Sequence, residues 1–169
     1  MSHLNVEIKA RCDDPDRVRK ILTDRGAEFV GTDHQVDTYF NCPTGRLKLR
    51  QGEIEYALIH YDRQHSPGPK KAVVTLCHPP REAALKAALT AALGIRAVIE
   101  KTREIYFIGN VKFHIDMVAG LGCFVEIEAI DADGNIGAEK LRTQCELYIR
   151  LLGIRPDDLQ TGSYSDMLT

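Results

Sequence analysis

The sequence predicts an α+β domain built mainly of antiparallel strands, and two observations predict it. Polar or charged residues recur at every second position on several separate stretches. Asn5, Glu7, Lys9 and Arg11 alternate with Leu4, Val6, Ile8, Ala10 and Cys12. The same period returns at Arg46, Lys48 and Arg50 around Leu47 and Leu49, at Lys112, His114 and Asp116 around Val111, Phe113 and Ile115, and at Glu126 and Glu128 around Val125 and Ile127. A period of two belongs to a strand with two chemically different faces. The second observation is that helix signals are inserted among these strands without regular strand–helix–strand alternation, which argues against a parallel sheet.

The elements follow in order. A first strand runs to about Cys12. Asp13, Asp14 and Pro15 then supply a capping carboxylate and a first-turn proline. Val18, Ile21, Leu22 and Arg25 continue at helical spacing, and Gly26 offers the stop. Residues from about Glu28 to Asn41 read as one or two extended pieces, and Pro43, Thr44 and Gly45 turn the chain into a strand over Arg46–Arg50. Gln51 and Gly52 mark the next turn, before a strand from Ile54 to about Arg63. Gln64–Lys71, with Ser66, Pro67, Gly68 and Pro69, reads as an exposed loop, and a short strand spans Ala72–Leu76. Beyond Pro79 and Pro80, the Ala- and Leu-rich Arg81–Leu93 reads as a helix packed against a sheet and stopped by Gly94. Ile95–Phe107, Val111–Val118 and Cys123–Ile130 are predicted strands. Ala138–Leu152 is a predicted amphipathic helix with Leu141, Cys145, Tyr148 and Leu152 on one side.

Bulk properties narrow the function. The 169 residues suit a single domain over 1–169. Twenty-two Lys+Arg nearly balance 24 Asp+Glu, so no long-range field draws in nucleic acid or an anionic membrane. Any anion site must be local. Five separated cysteines without a Cys-x-x-Cys pair argue against a disulfide framework or a thiolate zinc site, and are expected as reduced, mostly buried thiols. Glu7, Lys9 and Arg11 stand where a signal peptide needs its apolar segment, and no uncharged run approaches the roughly 20 residues of a membrane span. The expectation is a cytoplasmic protein, monomeric or homodimeric.

The hairpin around residues 112–128 repays a parity argument. Asp116 shares a face with Glu126 only if the connecting loop has an odd number of residues. A loop of Gly120, Leu121 and Gly122 satisfies this and predicts Asp116 opposite Glu126 and His114 opposite Glu128. Carboxylates so gathered repel unless cations or a divalent metal neutralise them, and oxygen ligands favour Mg2+ or Mn2+ over zinc. His114 reads as a structural partner of a carboxylate rather than a metal ligand. Lys9, Lys48, Arg50, Lys101 and Arg103 supply the opposing charge, and arginine forks with lysine point charges suit a short chain of phosphates. Arg17, Arg19, Lys20 and Arg25 read as a solvated helix face. If the striped strands close into a barrel with the charged faces inward, the lumen becomes a tunnel for a polyanion and a hard metal ion. A solvated outer face produces the same alternation.

Several motifs in order carry a family resemblance: Asn5-Val6-Glu7-Ile8-Lys9, Arg46-Leu47-Lys48-Leu49-Arg50, Lys101-Thr102-Arg103, and Asp116 followed by Gly120-Leu121-Gly122 and Phe124-Val125-Glu126-Ile127-Glu128. The chain resembles the CYTH family of triphosphate tunnel metalloenzymes over essentially its whole length. Ser163-Tyr164-Ser165-Asp166-Met167-Leu168 is similar to the closing segment of the class IV adenylyl cyclase-like branch. The resemblance implies an eight-stranded closed antiparallel barrel with helices outside. It implies Mg2+ or Mn2+ on Glu7, Glu126 and Glu128 with Asp116 close by, and a triphosphate gripped by Lys9, Lys48, Arg50, Arg63, Lys101 and Arg103. Lys9, Arg50 and Asp116 would form the catalytic set. The implied substrate is ATP, converted to cyclic AMP and pyrophosphate, with tripolyphosphate or thiamine triphosphate hydrolysis as alternatives. One position departs from the family pattern: Asn5 stands where the signature has glutamate. It removes one negative charge from the metal side, which leaves a non-catalytic binder of nucleotide or polyphosphate as a further alternative.

Overall fold

The computed structural model describes residues 2–168. Eight strands, β1 (Ser2–Arg11), β2 (Glu28–Phe40), β3 (Arg46–Gln51), β4 (Tyr56–Arg63), β5 (Lys70–Cys77), β6 (Ile95–Ile108), β7 (Val111–Val118) and β8 (Gly122–Asp131), close in the order β1-β5-β4-β3-β2-β6-β7-β8. Every described pairing is antiparallel. The fold is α+β, with helices α1 (Pro15–Asp24), α2 (Ala83–Leu93), α3 (Ala138–Leu151) and α4 (Tyr164–Leu168). No helix among the described residues is long and apolar enough to cross a membrane.

The two faces of each strand part as the alternation predicts, and the larger hydrophobic cluster lies outside the barrel, while a smaller one, with Tyr39, Tyr61, Ile99, Phe124 and Tyr164, packs on the inner side. Val6, Ile8 and Ala10 of β1 and Val125, Ile127 and Ala129 of β8 point outward, where α1 covers them with Val18 and Leu22 and α3 with Leu141 and Cys145. Each of these side chains is buried, and burial of one large aliphatic group is worth about 1.5–3 kcal/mol. Asp14 caps α1 by accepting from the Arg17 N–H at 3.0 Å. On the exposed side of α1, Lys20 pairs with Asp24 and Arg19 with Asp16 and Glu104, in keeping with a solvated face tied loosely to the sheet.

Residues 28–40 form one strand, bent at register shifts near Gly31 and Tyr39, within the one or two extended pieces expected. Several other expectations are corrected. Helix α2 lies exposed with no residue buried, because its alanines offer too little side chain to anchor it on the wall. Only Cys145 is buried among the cysteines, Cys77 is exposed and the others are half-buried; all five are free thiols. Lys70 and Lys71 belong to β5 rather than to the preceding loop. The β7–β8 turn is Ala119-Gly120-Leu121, with Val118 opposite Gly122. The register therefore places Asp116 opposite Phe124, His114 opposite Glu126 and Lys112 opposite Glu128. Parity fixes the shared face and tolerates any shift of two residues, which is the size of the error.

The turn between β3 and β4 is organised by one buried carboxylate. Asp33 accepts from the backbone N–H of Glu53, Ile54 and Glu55 at 2.8, 3.1 and 3.0 Å. A Cβ on Gly52 would stand 2.3 Å from Asp33 Oδ2, so this approach requires glycine. Asp33→Ala leaves three N–H groups without their acceptor and is expected to lower stability by about 2 kcal/mol in a denaturant titration.

Candidate active site

The odd-numbered residues of β1 point into the barrel and form the first column of the site. Across the seam to β8, Glu7 stands opposite Glu128 and Lys9 opposite Glu126. Lys9 Nζ lies 3.1 Å from Glu126 Oε1, and Arg103 Nη2 is 3.2 Å from Glu126 Oε2. His114 Nδ1 is 3.0 Å from that same oxygen and 3.8 Å from Glu128 Oε1. Arg63 Nη1 reaches Glu7 Oε1 at 2.7 Å. Burial opposes ionisation of Glu126, but Lys9, Arg103 and His114 outweigh it and hold the carboxyl well below its usual range. Glu7 goes the other way: burial, reinforced by Glu128 and Glu126, exceeds the pull of Arg63 and raises its pKa.

A second cluster surrounds Asp37, which is fully buried on β2. Its carboxylate accepts both forks of Arg50 at 2.9 Å, Lys101 at 2.7 Å, and an ion pair from Lys48 at 3.1 Å. Burial penalises this charge, yet Arg50, Lys101 and Lys48 hold it well below an ordinary aspartate. Of the three cations, Lys48 and Arg50 line the lumen, Arg50 being shared with Glu55, while Lys101 is sealed against Asp37. The third cluster joins β6, β7 and α4. Arg103 grips Asp116 bidentately at 2.8 and 2.7 Å, and the Tyr164 hydroxyl donates to Asp116 at 2.7 Å. Lys9 Nζ sits 3.6 Å over the Tyr164 ring.

These groups enclose a cavity of about 480 Å3 lined by Glu7, Lys9, Lys48, Arg50, Arg63, Arg103, Glu126 and Glu128. The structure thus brings together most of the residues selected from the sequence. Lys101 and Asp116 are fully buried behind this wall, engaged by Asp37 and by Arg103 with Tyr164. Asn5 also lines the cavity, and its Oδ1 is buried with no hydrogen-bond partner.

Sequence reasoning missed five contributors. Asp37, the hub of the cation cluster, was legible only as one polar position in a long strand. Lys112 had the alternation signal, and with Arg50 it holds Glu55, a residue folded inward by the Asp33-organised turn. Tyr164 gave no chemical signal in isolation. Lys70 stands opposite Glu7 on β5 with its ammonium donating to the Ser66 and Gln160 carbonyls, and burial lowers its pKa to about 8.

The barrel is open at one end. His3, Tyr56, Leu76 and Ile130 line the cavity at the end where β1 and β4 begin and β5 and β8 finish. At the other end Tyr164 packs on Phe124, with ring centroids 5.1 Å apart, and Arg46 and Arg96 hold Asp166 of α4 at 2.8 and 2.9 Å.

A closed barrel with facing basic and acidic walls narrows the family, and the CYTH domain family model matches residues 3–163. The chain belongs to the CYTH domain family. A Methanocaldococcus jannaschii protein named "Putative adenylate cyclase" is 27% identical over 97% of this chain and 98% of its own. Among solved structures, the PH1012 protein of Pyrococcus horikoshii superposes with a TM-score of 0.78 at 22% identity, over 96% of this chain and 98% of that one. A Hippeastrum protein described as a putative adenylyl cyclase with a dominant triphosphatase activity gives a TM-score of 0.59 at 12% identity, covering 98% and 93%. At these structural identities the likeness is one of fold.

Glu7 supplies a pH test. Its raised pKa means that the native state favours the neutral acid relative to the unfolded chain. Stability is therefore lost as pH rises from the unfolded value of about 4.3 through the folded one. Glu7→Gln is expected to raise Tm by a few degrees near pH 7.5, with the gain shrinking towards pH 4, by calorimetry across that range.

Proposed function

We propose that this CYTH protein is a divalent-metal-dependent enzyme that acts on a triphosphate held in its barrel, with conversion of ATP to cyclic AMP and pyrophosphate as the leading reaction. The observation that carries this reading is a single cavity in which Lys9, Lys48, Arg50, Arg63 and Arg103 face Glu7, Glu126 and Glu128. Lys48 and Arg50, aligned by Asp37 at the cavity wall, suit phosphate oxygens, and guanidinium forks bind them in pairs. Tyr56, Ile59, Leu76 and Ile130 line the same cavity and would receive the organic part of a nucleotide, for which bare tripolyphosphate has no counterpart.

The residues fit a hard cation. Ligand atoms of Glu126, Glu128 and His114 lie within 4.8 Å of one another, and the orphaned Asn5 Oδ1 adds a neutral oxygen to the same wall. Glu7, Glu126 and Glu128 would hold Mg2+ or Mn2+, which would neutralise charge on the bound triphosphate. Lys9 and Arg103 pair with Glu126, and a cation on that carboxylate would leave Lys9 and one Arg103 N–H available to phosphate. Asp116 keeps Arg103 aimed through its bidentate grip, which makes it a positioning residue. Lys101 acts at one remove, by compensating Asp37 beneath Arg50 and Lys48. With the phosphates held in line, the ribose 3′-hydroxyl would attack the α-phosphorus and pyrophosphate would leave, a reaction that depends on positioning and charge stabilisation more than on covalent catalysis.

Hydrolysis of the terminal phosphate of tripolyphosphate or thiamine triphosphate is the second reading, favoured by the triphosphatase activity named for the Hippeastrum neighbour. Incubation with ATP, tripolyphosphate and thiamine triphosphate, each with Mg2+ or Mn2+, decides between them. Cyclic AMP with pyrophosphate supports the cyclase, orthophosphate supports the hydrolase, and tight binding without product overturns both in favour of a sensor. Lys9→Ala and Arg50→Ala are each expected to lower kcat/KM roughly 100- to 1,000-fold on the active substrate. Asn5→Glu, which restores a carboxylate, is expected to raise turnover and to tighten Mn2+ binding measured by calorimetry.

A further inference from the structure

Cys12 and Cys123 meet on the outer wall, away from the cavity. The β1–β8 register pairs Arg11 with Phe124, so the next residues outward are Cys12 and Cys123, and the Cys12 N–H donates to the Cys123 carbonyl at 3.0 Å. Both side chains are half-buried and pack against the core between barrel and helices. Opposed residues of antiparallel strands have Cα atoms about 4.5–5.5 Å apart, inside the roughly 4.4–6.8 Å that a disulfide spans.

Their surroundings differ in a way that assigns roles. Cys12 stands two residues before Asp14, the cap of α1, and Cys123 faces Cys12 from β8. The neighbouring Cys123 is the largest influence lowering the Cys12 pKa, against the pull of burial and of Asp13 and Asp14, and the same pairing with Cys12 raises that of Cys123. Two adjacent thiols of unlike acidity suit a nucleophile, Cys12, and its resolving partner, Cys123.

We propose that Cys12 and Cys123 form a reversible redox pair, which hydrogen peroxide closes into a disulfide across the β1–β8 seam. The Cys12 thiolate attacks one peroxide oxygen. The O–O bond breaks, hydroxide leaves, and Cys12 becomes a sulfenic acid. Cys123 sulfur then attacks the sulfenic sulfur, the S–O bond breaks, and hydroxide departs with the Cys123 proton as water. Counting the proton released when Cys12 ionises, two thiols and one hydrogen peroxide yield one disulfide and two waters. The bridge would tie together the ends of the two strands whose inner faces carry Glu7, Lys9, Glu126 and Glu128.

The test is treatment of the whole protein with hydrogen peroxide, followed by thiol titration and non-reducing peptide mass spectrometry. Three of the five thiols are expected to remain, a peptide linking Cys12 to Cys123 is expected to form, and dithiothreitol is expected to reverse it. The oxidised protein should melt on the order of 5–10 °C higher. In Cys123→Ser the Cys12 sulfenic acid should persist and take up dimedone; in Cys12→Ser residue 123 should take up none. All five thiols surviving would overturn the proposal. So would dimedone labelling of exposed Cys77 ahead of Cys12, or oxidation of the pair only to sulfonic acids. The wild-type measurement stands even if a serine variant folds poorly.

Discussion

Charged side chains packed inside a protein are tolerated only when each meets its opposite, and this requirement organises the barrel. Asp37 collects Arg50, Lys48 and Lys101, Glu126 collects Lys9, Arg103 and His114, and Asp116 holds Arg103 from behind. These contacts join β1, β2, β3, β6, β7 and β8 across the lumen. Most of the apolar contacts lie elsewhere, so the outward faces of β1, β7 and β8 carry the larger cluster with α1 and α3, and a smaller one closes the lumen around Phe124 and Tyr164. An inverted distribution of this kind trades stability for a pre-positioned polar site.

The paired lumen also explains how a chain of nearly balanced charge could bind a polyanion. Attraction acts at short range, from cations already aligned by Asp37 and Asp116, and reorganising them on binding costs little. Helix α4 contributes by closing one end: Tyr164 links Phe124, Lys9 and Asp116. The cavity lining reaches Tyr56 and Ile130 at the opposite end.

Much of this was legible in residue order because strand alternation reports on faces directly. Period two put Glu7, Lys9, Lys48, Arg50, Glu126 and Glu128 on the polar faces of their strands, and the family resemblance turned those faces inward as a site. Lys101 and Arg103 were harder, since their flanking residues are polar too, and the structure separates them by depth: Arg103 lines the cavity and Lys101 lies sealed against Asp37. Arg63 was selected through the family resemblance rather than the alternation, and the structure sets it in the cavity against Glu7. Lys70 was hidden by a Pro- and Gly-containing stretch that obscured where β5 starts, and Glu55 by its place in a turn.

Local sequence determined the strands, their polar and apolar sides, the cap of α1 and the odd length of the β7–β8 turn, because each depends on residues within a few positions of one another. Only the closed barrel decided register, depth and partnership. A two-residue slide keeps every side chain on its face while changing every neighbour, and no periodicity can tell that Asp37, over sixty residues from Lys101, is the charge that keeps it buried.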